Sequence, residues 1–134
     1  MITVKTKIGP STISGMGIFA GEDISKGTLV WEFVPKFDQK LTQAEAAQLP
    51  KLARQYLIQY GYVSKRDGTY ILAMDHSRFM NHSDNPNLVS GFEDGFEEDV
   101  ARAARDIKKN EELTVDYQQF DDGLKEDYST KSPI

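Results

Sequence analysis

Turn signals recur so often in this 134-residue chain that no long helix or strand has room to form. Gly9-Pro10, Ser14-Gly15, Ser25-Lys26-Gly27, Asp67-Gly68 and Asn85-Pro86 each set a residue suited to turn geometry, or one with a fixed φ, between short apolar stretches. The stretches themselves are rich in β-branched and aromatic residues and read as strands: Ile2 to Ile8, Ile18 to Ala20, Thr28 to Val34, Tyr62-Val63, Thr69 to Ala73, Leu88-Val89, Asp99 to Ala104 and Leu113 to Tyr117. One region breaks the pattern. Thr42 with Glu45 three residues on forms a capping-box sequence, and Pro50 suits the start of a second short helix. In that second helix Leu52, Tyr56 and Ile58-Gln59-Tyr60 predict one apolar face. The prediction is a single, mainly β domain with a helical insert at about 42–60, without internal repeat or interdomain linker.

Composition removes several function classes. There are no cysteines, so neither a disulfide framework nor a thiolate zinc site can form, and His76 and His82 are the only imidazoles. No metal site is expected. The segment MITVKTKIGPSTI lacks the apolar run of a secretory signal, and no stretch reaches the length of a membrane span, so no membrane partner is expected and the cytoplasm is the default location. The net charge of -5 argues against direct nucleic-acid binding through phosphates. Acids gather at Glu93, Asp94, Glu97, Glu98 and Asp99, and again at Asp121, Asp122, Glu126 and Asp127. Each cluster alone reads as solvated surface, but together they could steer a basic peptide.

Three segments carry the functional signal. RFMNHSDNPN, Arg78 to Asn87, combines an Asn-His pair with an Asn-Pro turn. ARDIKKNEELTVDY ends at Tyr117, with Asn110 in a position that suits a left-handed turn. Gly15-Met16-Gly17 precedes Ile18-Phe19-Ala20, and as a lone GxG without a third glycine it is no dinucleotide fingerprint. An Asn-His pair by itself is more often a satisfied polar turn than a site. Taken together, the three segments resemble the signature motifs of SET-domain lysine methyltransferases, and the resemblance runs from about Ile2 to Tyr117. The departures are Met80 for the usual aliphatic residue, Asp84 where many relatives carry a zinc-linked cysteine, Asn110 for glycine, and Val115 where many carry an aromatic residue.

The resemblance implies a SET fold: several short twisted sheets (a β-clip), a small helical insert, and a C-terminal pseudoknot in which the Leu113–Tyr117 strand tucks beneath the Asn-His loop. It implies residues 1–117 as the domain and 118–134 as a tail. It implies an S-adenosyl-L-methionine-dependent enzyme acting on the side-chain amine of a lysine in a basic segment of a protein; a catalytically silent SET domain serving as an interaction module is the alternative. Tyr117 would be the catalytic residue. Gly15, Met16, Gly17, Asn81, His82, Tyr70 and Phe120 would bind the cofactor, Asn81 by donating and accepting hydrogen bonds and His82 through its backbone. The His82 ring would bond across the pseudoknot, and Arg78 would pair with Glu112. A tail bearing Phe120, Leu124 and Tyr128 is expected either to pack over the cofactor pocket or, being strongly polar, to fray as a chain end; a homodimer in which a partner supplies that wall is a further arrangement left open.

Overall fold

The structure is a computed structural model that describes residues 1–121. Its strands are short and form four small sheets rather than one large one. β1 (Thr6–Pro10) and β2 (Met16–Ala20) make an antiparallel pair; β3 (Leu29–Trp31), β9 (Val100–Ala103) and β8 (Leu88–Gly91) make a sheet in that spatial order. β4 (Gln39–Leu41), β6 (Tyr70–Leu72) and β5 (Tyr62–Val63) make another. The last is a parallel pair, β7 (Asn81–His82) with β10 (Thr114–Val115).

The hairpin β1–β2 turns later than the sequence predicts. Gly9 and Pro10 stay in the ladder opposite Gly17 and Met16, and the loop closes with the Ser11 N–H donating to the Gly15 carbonyl at 2.8 Å. Pro10 is tolerated because it ends a strand in a two-stranded sheet, where its missing N–H has no required partner. The predicted strand Ile2 to Ile8 is split by a bend at Val4: Ile2 bridges Trp31, and only the stretch from Thr6 onward pairs with β2. The predicted strand Thr28 to Val34 is shortened to three residues, because Asp38 takes the Val34 N–H with its carboxylate at 2.9 Å and turns the chain. β4, with the polar sequence Gln39-Lys40-Leu41, carries too little apolar character to be recognised from sequence.

Thr42 caps α1 (Gln43–Ala47) with both halves of the capping box formed, and α2 (Lys51–Tyr60) starts after Pro50 as predicted. The apolar face of α2 is not the predicted one. Leu57 is buried and Tyr60 half-buried three residues on, whereas Leu52 is 71% exposed and Ile58 45% exposed. At 3.6 residues per turn Leu52 lies about 140° around the axis from Leu57, so the two cannot share a face. The core gathers Ile18, Ala20, Val30, Trp31, Ile71, Leu88, Ile107, Leu113 and Val115, so that each of the four sheets contributes at least one residue.

β10 is held beneath the loop that follows β7. The Ser83 N–H donates to the Val115 carbonyl at 2.9 Å, and buried Asn87 clamps the strand from both sides of its amide. Its Oδ1 accepts from the Thr114 N–H at 2.9 Å, and its Nδ2 donates to the Glu112 carbonyl at 2.8 Å. This is the pseudoknot expected from the motifs. Asn110 takes a φ of 77°, the left-handed conformation its side chain was expected to tolerate.

Candidate active site

The motif residues converge on a cavity of about 960 Å³, near the upper end for a cofactor-sized site. One stretch of wall is built from Ile13, Ser14, Gly15 and Met16 of the β1–β2 loop, with Arg78, Asn81, His82 and Asp84 facing them. Another is aromatic: Trp31, Tyr60, Tyr62, Phe79, Tyr117 and Phe120. Val115 and Ala101, both buried, lie in the wall as well.

Tyr117 follows β10, at the point where the chain leaves the pseudoknot and enters a short 3-10 turn (Tyr117–Gln119). Its hydroxyl donates to the Met80 carbonyl at 2.7 Å. The phenolic proton is thereby committed, and the oxygen lone pairs are what the group can offer a ligand. Its ring stands edge-on to Phe120 at 6.0 Å, and Phe120 in turn stands edge-on to Tyr62 at 4.8 Å.

His82 holds Tyr117 from the other side. Its Nδ1 accepts from the Tyr117 N–H at 3.1 Å, so this nitrogen carries no proton, and Nε2 bears the hydrogen that faces the Asp84 carboxylate at 2.9 Å. The ring bonds across the pseudoknot, as expected.

Asn81 lies in a different relation to the cavity from the expected one. Its Nδ2 faces three acceptors: the Ser14 carbonyl at 3.0 Å, the Met16 carbonyl at 3.2 Å and the Glu112 carboxylate at 2.9 Å. Two hydrogens cannot serve more than these, so the amide has no donor to spare and can serve a ligand only as an acceptor, through Oδ1. The orientation is fixed by chemistry, since all three neighbours are acceptors.

Two of the sequence-predicted residues stay off the cavity wall. Gly17 is buried behind it, and Tyr70 sits in the central strand of its sheet between Leu41 and Val63. Arg78 does line the wall but does not pair with Glu112. It reaches the Tyr56 hydroxyl and the carbonyls of Met74 and Asp75, because the Glu112 carboxylate is turned the other way, toward Ser11 and Asn81. Phe120 reaches the wall, whereas Leu124, Tyr128 and the predicted tail lid lie outside the described residues.

The aromatic stretch from the end of α2, Tyr60 and Tyr62, was not anticipated as part of the site. The signal was present as a run of tyrosines at 56, 60 and 62, but alternation and helix periodicity read them as core. Burial, and after it the nearby carboxylates of Glu98, Asp99, Asp38 and Asp121, push the Tyr62 hydroxyl well above the ordinary tyrosine range, so it remains a neutral hydroxyl at any physiological pH.

The residues present fit S-adenosylmethionine. The Asn81 Oδ1 can accept from an ammonium, the β1–β2 loop turns through Gly15 at a φ of 47°, and the aromatic wall adjoins the Tyr117 oxygen. A family model described as "SET domain" matches residues 15–118. The chain belongs to the SET-domain family. This SET domain is 30% identical over 138 residues to histone-lysine N-methyltransferase trr of Drosophila melanogaster, a match that covers 92% of this chain and 5% of that protein. It is 33% identical over 112 residues to an Aspergillus oryzae histone-lysine N-methyltransferase, H3 lysine-4 specific, covering 80% of this chain and 9% of that one. The chain therefore spans a small fraction of these curated relatives. Among solved structures it is similar to Chaetomium thermophilum Polycomb Repressive Complex 2 bound to GSK126, with a TM-score of 0.68, 22% identity, and coverage of 90% of this chain and 17% of that one; at that identity the likeness concerns the fold.

Proposed function

We propose that this SET domain is an S-adenosylmethionine-dependent protein-lysine N-methyltransferase. The observation that carries the reading is the commitment of the Tyr117 hydroxyl proton to the Met80 carbonyl, beside an aromatic wall. That arrangement offers an oxygen acceptor, held in place, in a cavity whose walls can exclude water.

When bound, S-adenosylmethionine supplies a methyl group on a positively charged sulfur, and its transfer leaves a neutral thioether that needs no general acid. The chain must present a neutral amine in line with it. A free lysine amine has a pKa near roughly 10.4, and desolvation by Tyr60, Tyr62, Phe79 and Phe120 raises its reactive fraction. With the cofactor and substrate bound, the Tyr117 oxygen would be the acceptor available to weak C–H···O contacts, worth about 0.5–1 kcal/mol each, and to an N–H of the amine. The Asn81 Oδ1 would accept from the cofactor's ammonium. His82 keeps Tyr117 in register by holding its N–H.

The substrate class that suits this surface is a protein segment rich in basic residues. Asp84 and Asp99 lie on the cavity wall, and the chain carries a net charge of -5. The relatives named above are histone-lysine methyltransferases, which supports a protein lysine as acceptor.

The test is incubation with radiolabelled S-adenosylmethionine and a cell lysate, followed by gel separation and small-molecule chromatography. A labelled protein band absent with Tyr117→Phe supports the reading. Label only in small molecules, or none, overturns it.

A further inference from the structure

We propose that Glu112 is a positioning residue that locks the cofactor-facing loop to Asn81, and that Gly17 is a glycine to leave room for this carboxylate rather than for the cofactor. The proposal rests on the cofactor assignment made above.

Glu112 lies opposite β2, where its backbone bridges Phe19, and its carboxylate turns inward behind the cavity wall. It accepts from the Ser11 hydroxyl at 2.8 and 2.9 Å, one distance to each oxygen, and from the Asn81 amide at 2.9 Å. Ser11 opens the β1–β2 loop, and its Oγ in turn accepts the Ile13 N–H at 2.9 Å. The loop is thus tied down twice: through Ser11, and through Asn81 to the Ser14 and Met16 carbonyls. Ile13, Ser14 and Met16 are wall residues of the cavity although each is exposed, so little apolar packing holds them and these bonds supply the restraint.

The carboxylate also reinforces the sense of Asn81 that the two loop carbonyls impose. A charged acceptor 2.9 Å away fixes Nδ2 toward the protein interior and leaves Oδ1 as the group available to a ligand. Without it, the Ser14 and Met16 carbonyls still hold Nδ2, but the charge-assisted bond that anchors the amide behind the wall is lost.

Gly17 completes the argument. It is buried and off the cavity wall, yet a Cβ at this position would stand 2.5 Å from the Glu112 Oε2 and 2.9 Å from its Cδ. Real Cβ atoms do not approach so closely. The space a side chain would need is filled mainly by the Glu112 carboxylate, with the Ser11 Cβ next at 3.1 Å.

The experiment is calorimetric titration of the whole chain with S-adenosylmethionine, combined with amide hydrogen exchange on the ligand-free protein. If the wild-type chain does not bind S-adenosylmethionine, the cofactor assignment itself fails, and exchange in the ligand-free protein still judges Glu112. Glu112→Ala is expected to weaken binding by roughly tenfold or more and to speed exchange of the Ile13 amide. Glu112→Gln, which keeps an acceptor for Asn81, is expected to stay within roughly threefold of wild type. In turnover assays Glu112→Ala raises KM for the cofactor while kcat at saturation is kept, the signature of a group acting on binding geometry.

The cycle with Gly17 decides the second half. Gly17→Ala weakens binding in the wild-type background and adds a smaller loss on top of Glu112→Ala, because the two nearest atoms it strikes are gone and the Ser11 Cβ, at 3.1 Å, is the remaining close neighbour. An equal factor in both backgrounds means the glycine serves the cofactor directly and overturns the proposal. Full affinity and unchanged Ile13 exchange in Glu112→Ala overturn it as well. Should Glu112→Ala fail to fold, Ser11→Ala carries the test: faster Ile13 exchange and severalfold weaker binding support the lock, and unchanged values overturn it.

Discussion

At the scale of single residues, the site is built from polar atoms whose alternatives have been used up. Tyr117 has committed its proton to Met80, Asn81 its amide hydrogens to Ser14, Met16 and Glu112, and His82 its Nδ1 to the Tyr117 backbone. Tyr117→Phe is therefore expected to lower kcat by on the order of 10² while cofactor affinity by calorimetry stays near wild type, since an oxygen placed for the transition state is lost and no wall residue is removed. Val115 is 4% exposed and lies in the cavity wall, so Val115→Phe narrows the space available to a methylated amine. The expected outcome by mass spectrometry of the product is a shift toward fewer methyl groups; an unchanged distribution in an active variant would place Val115 away from the amine. Much of this was legible. The motif run from Arg78 to Asn87 and the strand ending at Tyr117 led to the cavity. What was not legible was the direction of each hydrogen bond, because a sequence names an amide without saying which of its ends faces the ligand. The resemblance pairs Arg78 with Glu112 and places Tyr70 at the cofactor; geometry assigns each elsewhere.

At the scale of elements, the strands were recognisable by composition and the turns by glycine, but strand ends moved wherever a side chain captured the backbone, as Asp38 does at Val34. The helix α2 was recognisable and its face was not, because Leu52 and Ile58 are ordinary apolar residues that the described elements leave 71% and 45% exposed. Leu52→Glu is thus expected to change stability by less than about 0.5 kcal/mol in denaturant melts, despite exchanging leucine for a charge. The hairpin joining β5 and β6 gives a pH prediction. Hydrogen bonding from the Thr69 hydroxyl and N–H, with Lys40 at 3.0 Å, holds the Asp67 carboxyl at about 2, below its ordinary value of 3.8. A carboxyl depressed on folding stabilises the fold fully above its unfolded pKa and loses that contribution as pH falls through the folded value. Melting temperature should then fall between pH 4 and about 2 more steeply in the wild type than in Asp67→Asn. Because Asp67 is 42% exposed, solvent screens the pair and the difference is small. Asn87 is the opposite case. It is 2% exposed, and Asn87→Ala strands the Thr114 N–H and the Glu112 carbonyl without partners, at roughly 2–4 kcal/mol measured by denaturant unfolding.

At the scale of the whole molecule, four small sheets share one core, and the cavity lies where the β1–β2 loop, the helical insert, the Asn-His loop and the last strand meet. No sheet owns the site. The helical insert reaches the aromatic wall through Tyr60, at the end of α2, and β5 adds Tyr62. The parallel pairing of Asn81 with Thr114 has a further consequence, in the time order of biosynthesis. Strand β10 must be threaded beneath a loop already made, and the segments it joins are separated by the whole of β8 and β9. Pairings of such sequence separation close slowly. A ribosome adding about 5–20 residues per second exposes Ile18, Ile71 and Leu88 for seconds before Leu113 and Val115 exist to cover them. A nascent chain of this protein therefore spends its vulnerable interval with its apolar interior open and Tyr117 not yet made, so that protection from aggregation and completion of the cavity wall arrive in the same closing step.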